Sequence, residues 1–150
     1  MKSSEFIVAV CGLLGAAPPV LAQDNFKAAF APMHQFVDGM NTGDMKKAAG
    51  AYTPSASIID EFGVHHWTSF ATWIQDAGAY FKAGGVTGLQ IGLSKPSFQS
   101  VDAKYAYAVV PTILSFSEKG KPTKEKGLFT FSMAKTPAGW RITGWAWSTL

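Results

Sequence analysis

The sequence predicts an α+β domain, with helices packed on one face of a strongly curved antiparallel sheet. Three observations predict it. Apolar residues recur at helical spacing early in the chain, the period then drops to two and stays there, and no internal repeat or linker interrupts the change. A chain of 150 residues fits one domain, and a hydrophobic fraction of 47% is ample for a core. The aromatic share of 13%, with five Trp and eleven Phe, suffices to line a cavity as well as fill a core.

Residues 1–22 read as a secretory signal peptide. Lys2 gives a short basic start, Ile7 to Leu14 an apolar stretch, Pro18-Pro19 a helix break, and Val20-Leu21-Ala22 small residues for cleavage. The apolar run is too short and too broken for a membrane span. Cleavage would leave 128 residues from Gln23, periplasmic or secreted, with no stable membrane span. Cys11 is the only cysteine and lies in the leader, so the exported chain would carry no thiol, disulfide or cysteine metal site.

Phe26, Phe30, Met33, Val37 and Met40 predict an amphipathic helix from Asp24 to about Met40, capped by Asp24 and kinked or delayed at Pro32. On it His34 is expected to pack under the sheet. Asn41-Thr42-Gly43 breaks the chain, and Asp44 caps a short second helix to about Ala51. Thr53-Pro54 ends that helix, and Ser55 to Glu61 reads as a strand. After a loop bearing His65 and His66, Thr68 or Ser69 caps a third helix with an apolar face of Phe70, Trp73, Ile74, Ala77 and Phe81, stopped at Gly84-Gly85.

Four strands follow. Leu89, Ile91 and Leu93 alternate in the first; Ala103 to Phe116 is long, with Pro111 implying a bulge or an edge. Leu128 to Ala134 and Trp140 to Ser148 are joined by Thr136-Pro137-Ala138-Gly139. The formal net charge of +3 concentrates in Lys119, Lys121, Lys124 and Lys126. A nucleic-acid surface would want arginine and interleaved aromatics, but Arg141 is the only arginine, so this run reads as a solvated hairpin tip.

The segments Phe36-Val37-Asp38-Gly39-Met40-Asn41-Thr42-Gly43-Asp44, Ala51-Tyr52-Thr53-Pro54 and Ile58-Ile59-Asp60 resemble the opening of a nuclear transport factor 2-like or SnoaL-like domain. Gly139 to Ser148 resembles that superfamily's last strand. The resemblance spans the chain from Gln23 and implies a cone-shaped barrel of order α-α-β-α-β-β-β-β, its sheet wrapped round a pocket, commonly as a homodimer. Such a fold carries enzymes, binding domains and assembly domains alike.

Compared with the ketosteroid isomerases of that superfamily, Asp60 falls at the general-base position and Trp147-Ser148 resembles a Trp-Ser pair near the site. A carboxylate lining an apolar pocket suits a base, because desolvation raises its pKa. The oxyanion donors that the resemblance implies are replaced, with Phe36 at a tyrosine position and Thr130 or Ser132 near a protonated carboxylic acid. Steroid isomerisation is therefore not expected. A likeness to limonene epoxide hydrolase would require an Asp–Arg–Asp set, for which one arginine is too few. A likeness to scytalone dehydratase would draw on His65, His66, Tyr52 and Asp60, although adjacent histidines on extended backbone point opposite ways.

Two readings of these residues stand side by side. In one, an apolar pocket binds a small hydrophobic molecule, and Asp60 is the base of a cofactor-free isomerisation or dehydration. His65 or His66 is then an auxiliary acid, and Phe36, Tyr52, Trp67, Tyr107, Thr130, Ser132, Trp145 and Trp147 form the pocket wall. This reading places Asp60 inside the cavity within reach of Trp147. In the other, Asp60 and Glu61 are the polar end of a strand, His65 and His66 are loop residues, and the domain is a non-catalytic ligand-binding or dimeric assembly module. Neither reading calls for a metal or a cofactor, since the histidines have no third ligand at a clear spacing. Tyr105 with Tyr107, and Trp145 with Trp147, each share a strand face, lining a pocket or meeting a partner.

Overall fold

The structure, a computed structural model, describes residues 20–150. Apart from Val20–Ala22, the signal-peptide reading falls outside the described residues, as does Cys11. The first helix, α1 (Val20–Thr42), runs straight through the predicted start, so Asp24 lies within it rather than capping it. Pro32 also lies within α1. Ala29, Phe30, Met33, Phe36 and Val37 are all buried on one face, and that packing outweighs the backbone bond that proline removes. His34 is exposed, not packed under the sheet.

The short helix α2 (Met45–Ala49) is capped as expected, with Lys47 N donating to Asp44 Oδ1 at 2.9 Å. Strand β1 (Tyr52–Ile59) takes in Pro54 and ends just before Asp60. A two-residue strand, β2 (His66–Trp67), then pairs back on β1. Helix α3 (Phe70–Gly84) begins at Ser69, whose Oγ accepts from Thr72 N at 3.2 Å, and ends at Gly85 in the left-handed conformation, φ 68°.

The rest of the sheet is β3 (Val86–Leu93), β4 (Phe98–Val101), β5 (Tyr105–Glu118), β6 (Lys121–Thr136) and β7 (Gly139–Thr149). Its order is β2-β1-β7-β6-β5-β3, with β4 also paired to β5. Every ladder is antiparallel except that of β1 with β7, which is parallel. The sheet is curved and unclosed around the helices, and the α+β expectation holds with two short strands, β2 and β4, added to it. The lysine run is a strand rather than a tip, because the hairpin turns on Lys119 and Gly120 alone. Both have positive φ, 49° and 82°, as primed two-residue turns require. Pro111 sits where β5 changes partner from β3 to β4, and its carbonyl accepts from Ser94 N. Its missing N–H faces that same junction, where no strand needs it.

Phe36, fully buried, is the centre of the core. It stacks on Trp145 (6.2 Å between ring centres) and meets Tyr52, Phe70, Trp73, Phe129 and Phe131 edge-on. In β7 the pairing slips, Ser132 facing Gly144 but Met133 facing Ile142, which leaves Thr143 as an extra residue. Because of this bulge, Trp140 and Ile142 are buried before it and Trp145 and Trp147 after it, a phase that strict alternation forbids.

Candidate functional site

Between the wide end of the sheet and the helices lies a cavity of about 250 Å³. Helix α1 contributes Phe36 and Met40, α3 contributes Trp73, Tyr80 and Phe81, and β7 contributes Trp145 and Trp147. Phe129 completes the buried aromatic floor, its ring 5.2 Å from Trp145 and 4.8 Å from Trp147. Gly127 makes room for this arrangement. A Cβ there would run into the Trp147 ring and the Ser148 carbonyl.

The polar groups of the wall are mostly carboxylates: Asp60, Glu61, Glu118 and Glu125. Asp60 leaves β1 into a tight loop in which its N–H donates to His65 O at 3.2 Å, and Gly63 and His65 both take positive φ. Its Oδ2 accepts from Trp73 Nε1 at 2.9 Å and its Oδ1 from Glu61 N at 2.8 Å. Burial nevertheless pushes its pKa up. The two hydrogen bonds work against that rise, and the charges of Glu61 and Glu125 add to it. Glu61 is held by Thr149, whose N and Oγ1 donate to Oε1 and Oε2, each at 2.6 Å. The same Thr149 hydroxyl lies 3.1 Å from Glu125 Oε1. It has one hydrogen, so two carboxylates compete for one donor.

The structure brings together Asp60, Phe36, Trp145 and Trp147 of the expected site residues, and Asp60 and Trp147 share the cavity wall. The others lie elsewhere. His65 and His66 are exposed, with His65 Nδ1 against Asp60 O at 3.1 Å and His66 Nε2 against Ser57 Oγ at 3.2 Å. Neither ring bonds the Asp60 carboxyl, whose partners are Trp73 and Glu61 N. Tyr52 is buried behind the wall, accepting from Trp145 Nε1 at 2.8 Å, and burial holds its phenol well above its ordinary pKa. Trp67 donates to Asp76 Oδ2 at 2.8 Å and packs on Phe62 rather than lining the cavity.

Thr130 and Ser132 fall on the outer face, because alternation along β6 turns Phe129, Phe131 and Met133 inward. Ser132 Oγ bonds Thr143 Oγ1 there at 3.0 Å. Tyr107 is on that outer face as well, 39% exposed and against Phe98. Sequence reading missed Trp73, Phe129 and Glu118 as wall residues, and also Glu125. Glu125 shares odd-numbered register with Phe129 and Phe131, and that spacing was the available signal. Among the described residues no group of three His, Cys, Asp or Glu converges as a metal site would require.

A family model described as a SnoaL-like domain matches residues 30–150. Among solved structures, the chain is similar to a ketosteroid isomerase-like protein from Erwinia carotovora atroseptica, with 14% identity, 85% of this chain and 97% of that one covered, and a TM-score of 0.68. It is similar to a nuclear transport factor 2-like superfamily protein from Salmonella enterica, with 15% identity, 87% and 93% covered, and a TM-score of 0.71. A dehydratase candidate of the same family from Streptomyces avermitilis aligns at 14% identity over 85% and 97%, with a TM-score of 0.71. At these identities the likeness establishes the fold. A comparison with curated proteins gives no match.

Proposed function

We propose, for a chain that belongs to the SnoaL-like domain family, that the cavity binds a small molecule with an apolar body and that Asp60 takes a proton from it in a cofactor-free isomerisation or dehydration. One observation carries this reading. Asp60 stands on the wall of an aromatic cavity with both oxygens oriented by donors, and burial makes it a stronger base than a solvated aspartate. The cavity is slightly smaller than the usual range of about 300–1,000 Å³ for ligand pockets, so the molecule is compact. The ketosteroid isomerase-like and dehydratase-candidate relatives share the fold and support the reaction class. Lys2, the run Ile7 to Leu14 and Val20-Leu21-Ala22 support export to the periplasm or beyond the cell.

Native purification followed by mass spectrometry is expected to recover the molecule. In deuterated water its turnover should incorporate solvent deuterium, and Asp60→Asn should slow that exchange by about 10²–10⁴-fold. A ligand-bound Asp60→Asn protein that exchanges as fast as the wild type would reject the catalytic role.

A second reading, a non-catalytic binding or assembly module, rests on the outer sheet face. Phe98, Tyr105, Tyr107 and Ile113 are all exposed there, between 39% and 63%. This is an apolar face suited to a homodimer. Neither Phe36 nor the outward-facing Thr130 and Ser132 gives the cavity the oxyanion donors found in the isomerases, which also favours binding without turnover.

A further inference from the structure

We propose that the ligand is an organic cation, a protonated amine on a compact apolar or aromatic body; this rests on the reading of the cavity as a ligand site. The cavity wall holds four carboxylates, Asp60, Glu61, Glu118 and Glu125, and no lysine, arginine or histidine. The chain as a whole is net positive, so the wall inverts the sign of the molecule around it. Strand alternation produces the inversion. Glu125 faces inward on β6 while its neighbours Lys124 and Lys126 are exposed on the opposite side. None of the four carboxylates is in an ion pair; among the described residues the salt bridge is Lys47 with Asp38, on the helices.

Carboxylates alone would be only a solvated rim, but these stand over an enclosed floor of Trp73, Trp145, Trp147 and Phe129. Indole faces attract a cation that has shed its water, and the same rings bury an apolar body. Donors are in short supply at this end of the cavity. The single Thr149 hydroxyl hydrogen cannot serve both Glu61 and Glu125, whereas an ammonium brings up to three. A neutral ligand would leave the carboxylates repelling one another, and an anionic one would add to the repulsion.

A second feature points to a ligand independently of the carboxylates. Trp147 lines the cavity with only 7% of its surface exposed, and its indole N–H has no protein partner among the described residues. No polar side-chain atom there is fully buried without a partner, so this N–H reaches open space. It is a spare donor on a residue of the cavity wall, which suits an amine that also carries an oxygen. A metal ion fits less well, because the carboxylates are spread over the β1 exit, β5 and β6 instead of converging.

Three probes of one shape and different charge test this: phenylpropylammonium, phenylpropanol and phenylpropanoate, each titrated into the full-length protein by calorimetry. The ammonium is expected to bind about tenfold more tightly than the alcohol, with the carboxylate weakest. Glu125→Gln should erase most of that preference, read as the ratio of ammonium to alcohol affinity within the same folded variant. Glu118→Gln, at the exposed mouth, should erase less of it. Rising salt should narrow the gap between ammonium and alcohol. Alcohol binding as tight as the ammonium, or a preference untouched by Glu125→Gln, overturns the cation assignment and spares the pocket. Failure of all three probes to bind overturns both.

Discussion

The Trp73 indole donates to Asp60 Oδ2 at 2.9 Å, tying α3 to the loop that leaves β1. The bond reaches across thirteen residues and holds the carboxyl against the cavity wall without neutralising its charge. Trp73 is thus a positioning residue, and its ring also packs edge-on against Trp145, 5.0 Å away. Trp73→Phe keeps most of that packing and removes the donor. It should cost about 1–3 kcal/mol in chemical denaturation and raise the Asp60 pKa further, read by carboxyl NMR. An unchanged Asp60 titration would show that the bond does not act on the carboxyl.

The raised pKa of Asp60 makes a prediction about stability. A folded state that holds a proton more tightly than the unfolded chain has that stabilisation in full below the ordinary aspartate range and loses it as pH climbs through the raised value. Thermal midpoints of the wild type should therefore fall across that window more than those of Asp60→Asn. Parallel curves would mean that Asp60 titrates like a solvated carboxylate.

Tyr52 lies behind the cavity and not in it. Tyr52→Phe removes the acceptor of the buried Trp145 N–H and should cost about 1–3 kcal/mol in stability. Ligand affinity at 25 °C should barely change, a result distinct from what a pocket residue would show. A large loss of affinity with normal stability would return Tyr52 to the site.

Gly127 is where the backbone of β6 passes beneath Trp147. Gly127→Ala is expected to displace that ring, lowering stability by about 1–3 kcal/mol and shifting tryptophan emission. Normal emission and stability would show that the strand can give way there.

On the outer face, Ile113→Glu puts a charge into the proposed dimer surface. It should convert a dimer into a monomer in sedimentation velocity while leaving the cavity's ligand binding unchanged. A wild-type protein that sediments as a monomer at high micromolar concentration would remove this surface from consideration.

Helix α3 was legible throughout, because a Ser69 cap, a regular apolar stripe and a Gly84-Gly85 stop all agree with one another. Strands β2 and β4 were not, since two and four residues are too few to display a period. The start of α1 was obscured by Asp24, a good cap residue that tertiary packing absorbs into the helix interior. For the site, the resemblance to the ketosteroid isomerases put Asp60 at the cavity. It could not show that a positive-φ loop carries His65 and His66 outward. Reading Lys119 to Lys126 as a charged tip hid Glu125, whose inward face appears only once the run is known to be a strand. Trp145 and Trp147 keep one face in any register, but which face depends on the bulge at Thr143, and a single extra residue leaves no composition signal.

That bulge divides β7 into two lengths with separate obligations. Below Thr143, the buried Trp140 and Ile142 stay off the cavity wall; above it, Trp145 and Trp147 line it. The slip uncouples the parity of the two lengths, so the inward face of the upper one is set independently of the lower. One strand thereby belongs to the core at one end and to the cavity wall at the other.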